Sequence, residues 1–112
     1  MKKLNFKFLK NDKTIIEEDK INCILNNNKV YFNLDGIKYS YTNNIFTKET
    51  KEEIISFNFK EEECKITLKE NNLSIILSIK VIECNIKEEN IHIKYSIETE
   101  EETTNEIILE IY

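Results

Sequence analysis

Few side chains in this 112-residue chain are equipped to act as nucleophile, base or metal ligand. Its three cysteines, Cys23, Cys64 and Cys84, stand far apart, and its single histidine is His92. A zinc site needs three or four Cys, His or carboxylate ligands at suitable spacing, so the sequence points to no metal and no cofactor. Any Ser-His or Cys-His mechanism would have to run through His92. That residue lies between Ile91 and Ile93, and in a strand it faces away from both; with the isoleucines inside, His92 is a plain surface residue. Eighteen Glu make some carboxylate pair unavoidable, so such pairs do not argue for glycoside hydrolysis or acid–base work. With one glycine, the chain has no phosphate-cradling loop and no dinucleotide fingerprint.

The aromatic residues carry more information. Tyr39, Tyr41, Phe57, Phe59 and Tyr95 share parity with the apolar face of their segments. If that face lines a barrel, the tyrosine hydroxyls need partners inside it. One reading is a set of buried tyrosines bonded to backbone or to one another. The other is an internal pocket, mostly apolar with a few polar groups, of the kind small barrels use for ligands.

The segments that must position these rings alternate with a period of two. Leu4, Phe6 and Phe8 do so against Asn5 and Lys7. Residues 15–25 read as one long, bent strand or two short ones, because Glu17, Glu18, Asp19 and Lys20 interrupt the apolar ends. The clearest signal is Asp35-Gly36 between residues 29–34 and 37–42, a two-residue type I′ hairpin turn. Thr50-Lys51-Glu52-Glu53 resembles a capping box, but the alternation from Ile54 onward limits any helix to a short turn. Leu73, Ile75, Leu77, Ile79 and Val81 alternate, then parity switches to Ile82, Cys84 and Ile86, which predicts a bulge or sharp bend. Ile91, Ile93, Tyr95 and Ile97, then Ile107, Leu109 and Ile111, make the last two strands, joined by an acidic loop over 98–106.

Composition agrees with strands. There are twenty Ile, eight Leu, six Phe and five Tyr, and no Ala, the best helix former. Sixteen Lys against twenty-one acidic residues give a net charge of −5, the wrong sign for holding nucleic acid or an anionic membrane through the overall field. Asn and Lys interrupt the first eight residues before any apolar signal region forms, so no signal peptide is expected. An odd, sparse cysteine set fits reduced thiols in the cytoplasm, with Cys23 and Cys64 as small buried hydrophobes.

Two segments resemble the YwiB-like family of small bacterial proteins. Asp35-Gly36-Ile37-Lys38-Tyr39-Ser40-Tyr41 is similar to that family's N-terminal hairpin with its Tyr-x-Ser-Tyr strand. Ile91-His92-Ile93-Lys94-Tyr95-Ser96-Ile97-Glu98 is similar to its penultimate strand. The resemblance implies a lipocalin-like (calycin) barrel; no catalytic residues are established for the family, so none carry over.

The expected fold is therefore all-β, a single antiparallel up-and-down barrel of about eight to ten strands spanning residues 1–112. The expected function is non-catalytic binding of a small apolar ligand by Tyr39, Tyr41, Phe57, Phe59 and Tyr95. Two alternatives stand beside it: an interaction or homodimeric assembly module with a filled barrel, and an enzyme with an unrecognised Tyr or carboxylate site. With five rings pointing inward, the interior should be nearly filled, and any pocket should open at one end, near the Asn-rich turns.

Overall fold

The computed structural model describes residues 2–112. Ten strands follow one another: β1 (Lys2–Lys10), β2 (Lys13–Asn26), β3 (Lys29–Leu34), β4 (Ile37–Thr42), β5 (Ile45–Glu49), β6 (Glu53–Asn58), β7 (Glu63–Leu68), β8 (Leu73–Ile86), β9 (Asn90–Ile97) and β10 (Glu100–Ile111). Each pairs antiparallel with its neighbours in sequence, and β1 also pairs with β10, so the meander closes into a barrel. Closure matters for a chain this rich in isoleucine, because it removes the unpaired outer strands that would recruit other chains. At the seam the Lys3 and Tyr112 amides each donate to the other's carbonyl, at 3.0 and 2.8 Å.

Local chemistry sets the tight links. Asn11-Asp12, Asn27-Asn28, Asp35-Gly36 and Asn43-Asn44 all have positive φ, between 46° and 79°. They join strands whose flanking residues pair directly: Lys10 with Lys13, Asn26 with Lys29, Leu34 with Ile37, Thr42 with Ile45. Two consecutive positive φ values define a type I′ turn, whose twist matches that of the strands, and Asn and Asp tolerate that region best after glycine. Much of the asparagine in this sequence is therefore hairpin chemistry.

β2 and β8 are the two 14-residue strands, and each divides its length between two neighbours. β2 pairs with β1 through most of its length and with β3 only at Cys23 to Asn26. It is one bent strand: Lys20 sits at φ 57°, its amide donates to Asn5 Oδ1 at 3.0 Å, and the register with β1 shifts between Leu4 and Phe6. β8 pairs with β7 up to Ser78 and with β9 from Ile79, with a register shift between Val81 and Glu83. That shift is the bulge implied by the change of apolar parity at Ile82.

The 98–106 segment differs from expectation. Only residues 98–99 form the turn; β10 begins at Glu100 and carries the acidic residues as a strand. They hold to the ladder because Asn11 and Thr104 clamp each other: the Asn11 amide donates to the Thr104 carbonyl, and the Thr104 amide to Asn11 Oδ1. Their charges stay in solvent, where they cost little.

Inward residues from every strand make one core. Leu4, Phe6, Phe32, Tyr39, Phe46, Ile93, Tyr95, Ile107 and Leu109 are all buried. Cys23 and Cys64 belong to it as small hydrophobes; Cys84 is exposed.

Candidate functional site

All five aromatic residues singled out by parity belong to the barrel's interior, and they divide among three places. Tyr39 joins one cluster of rings with Phe6, Phe32 and Phe46, at centroid distances of 5.0 to 6.1 Å. Phe57, Phe59 and Tyr95 form a second cluster, at 5.2 to 6.2 Å. Separations of this size are those at which aromatic pairs attract beyond their simple burial, by roughly 0.5–1.5 kcal/mol each. Tyr41 stands apart, opposite Val30 and Phe46 in the ladder, and it lines a cleft beside the Asn27-Asn28 turn.

A cavity of about 240 Å³ is lined by residues of both ring clusters. Phe6, Tyr39 and Phe46 line it from the first cluster and Phe57 and Tyr95 from the second, with Phe8, Ile16, Ile55 and Ile107 completing an apolar wall. Phe59 packs on Phe57 and Tyr95 without lining this space. An eight-stranded barrel is just wide enough to be filled by its own side chains or to hold one small ligand, and diameter grows with strand number. Ten strands leave room that even seven rings do not fill.

The cavity lies toward the end that carries the β1–β2, β3–β4 and β5–β6 turns, where exposed Ile15 and half-buried Lys48 border it. The Asn11-Asp12 and Asn71-Asn72 turns are also at this end, while the Asn27-Asn28 and Asn43-Asn44 turns are at the opposite one, so asparagine in the turns does not mark which end the cavity faces. Two features decide the location. Leu4, Ile93 and Leu109 are 0 % exposed and fill the section nearer the chain termini. Toward the other end, β2 pairs with β1 but no longer with β3, and the wall loosens. A side cleft of about 600 Å³ follows that divergence, and Tyr39 lines both the cleft and the inner cavity.

Burial governs the ionisable groups inside. It pushes the Cys64 thiol up to about 11. Tyr95 is raised above the ordinary phenol range, chiefly by burial and further by the neighbouring Cys64. Tyr39 is raised by burial and then by Asp35; Tyr41 is raised by burial, with the Asn44 backbone working against it. Thiols and phenols held neutral are poor nucleophiles and poor bases.

His92 is on the outer face, as expected, but it is not a free surface side chain. Its Nε2 bonds the Glu106 carboxylate, the two side chains being 35 % and 16 % exposed. The reason lies in the register: His92 faces Ile108, beside Lys94 opposite Glu106, so a diagonal neighbour is within reach. The pair is on the outside of the wall from the thiols and phenols, and among the described residues no group of three or more His, Cys, Asp and Glu is placed to hold a metal ion.

Two inward polar residues escaped the sequence reading. Lys48 lies opposite Tyr39 and Ile55 and so shares their inward face. Its parity with Phe46 is the signal that could have found it. Asn105 is buried opposite Tyr95, and its Nδ2 has no hydrogen-bond partner among the described residues. Its parity with Ile107 and Leu109 was hidden by reading the segment as loop.

Fold and site together define the class: a closed ten-stranded up-and-down β-barrel with a small aromatic-walled cavity toward one end. Compared with family models, curated proteins and solved structures, the chain matches none.

Proposed function

We propose that this barrel binds a small, largely apolar molecule in the cavity between its two ring clusters and performs no chemistry on it. The observation that carries the reading is the cavity itself, apolar and aromatic-walled, with a lysine at its border. At about 240 Å³ it is slightly below the roughly 300 Å³ at which ordinary ligand pockets begin, which favours a single ring or a short chain. The likeness to YwiB-like proteins and their lipocalin-like barrels supports the same reading, and the free cysteines support placing it in a reducing cytoplasm.

Native mass spectrometry of protein purified from its own cells tests it. A retained small-molecule mass on the monomer is the expected result, lost when Ile55→Trp fills the cavity. Bare protein in both cases would overturn the proposal. A bare dimer would favour a second reading, an assembly module, which one feature supports: Ile24 and Tyr31 pair across β2 and β3, exposed by 61 % and 40 %.

A further inference from the structure

We infer that the molecule held in this cavity carries a carboxylate, and that Lys48 receives it. The inference rests on the ligand-binding reading above and adds the chemical class of the ligand.

The placement of Lys48 is built into the register of β5. Its neighbours Thr47 and Glu49 face outward, where Thr47 meets Ser56 across the ladder and Glu49 bonds Lys69 at 2.8 Å. Lys48, between them, must face the other way. It stands opposite buried Tyr39 on one side and Ile55 on the other, and all three line the cavity. No carboxylate comes within 4.0 Å of its ammonium among the described residues; only Lys2, Lys10, Lys69 and Lys94 have one, and what sets Lys48 apart from the other unpaired lysines is that it lines the inner cavity.

Lys48 is half-buried as a residue, its stem lies against aromatic and aliphatic walls, and no protein anion faces its ammonium. A lysine stem can thread its head toward water, but an anion entering the mouth meets that head with its charge already unopposed. The ligand charge that fits is a single one. One ammonium balances a carboxylate, while a phosphate monoester brings about −1.5 to −2 and would leave charge unmatched in an apolar site. The rest of the ligand is largely apolar, because apart from the phenols Tyr39 and Tyr95 the remaining wall is phenylalanine and isoleucine side chains.

Three probes sharing one chain and differing only in head group test this: octanoate, octanol and octylammonium, titrated calorimetrically at neutral pH against the intact protein. The expected result is octanoate binding about tenfold more tightly than octanol, with octylammonium weakest. Lys48→Met, which keeps the apolar stem, should bring the octanoate-to-octanol ratio to about one, and Lys48→Arg should restore it, which separates loss of charge from loss of fold. If octanol matches octanoate in the unaltered protein, or Lys48→Met keeps the preference, the carboxylate inference falls and the apolar pocket stands. If none of the three binds, the ligand-binding reading falls and takes the inference with it.

Discussion

Gly36 holds the second position of the β3–β4 turn at φ +79°, and a Cβ built there would meet nothing within 4 Å. Space is therefore not what demands glycine; the backbone conformation is. Valine, branched at Cβ, is strained in this region, and Gly36→Val should cost about 1–3 kcal/mol in urea unfolding. The three sister turns make a sharper comparison possible, since Asp12, Asn28 and Asn44 hold the same position at φ 64° to 67°. Gly36→Asn should thus lose clearly less than Gly36→Val. Equal losses would mean that the turn depends on something other than φ.

At the scale of elements, Thr50 shows how a helix-like signal can serve a hairpin. Its Oγ1 accepts from the amides of Glu52 and Glu53, at 3.3 and 3.2 Å, as an N-capping hydroxyl would, yet β6 begins at Glu53. The amides it satisfies belong to a tight turn closed by the Thr50 amide donating to the Glu53 carbonyl. Thr50→Val keeps the shape and removes the acceptor, and should lower stability by about 1 kcal/mol, read as a shift in the urea midpoint. This segment also marks what sequence can convey. Alternation exposed nearly every strand, the Asp35-Gly36 hairpin and the bulge after Val81, because face and turn chemistry are local properties. The run of glutamates before Asn105 concealed a strand, since what keeps it in the ladder is Asn11, far away in the chain. Inward rings were legible from parity; the position of the cavity was not, because it depends on where β2 parts from β3 in the closed barrel.

At the scale of the whole molecule, the barrel buries two of its three thiols and three of its five phenols, and this gives its stability a direction in pH. Burial raises Cys64 to about 11, and raises Tyr95, Tyr39, Tyr41 and Cys23 above their ordinary values as well. Each of these groups is neutral when protonated, and each releases its proton more readily from the unfolded chain. Their contribution to stability is therefore fully present below the unfolded values and is lost as pH rises through the folded ones. Urea midpoints should stay level to about pH 8 and then fall, Cys64 alone contributing on the order of 2 kcal/mol between about pH 9 and 11. Cys64→Ala should be less stable at neutral pH, through the small cavity it leaves, but should decline less steeply in alkali. A midpoint unchanged up to pH 11 would mean that water reaches the interior. It would also weaken the case for an apolar ligand, because a hydrated cavity offers no gain from burying one.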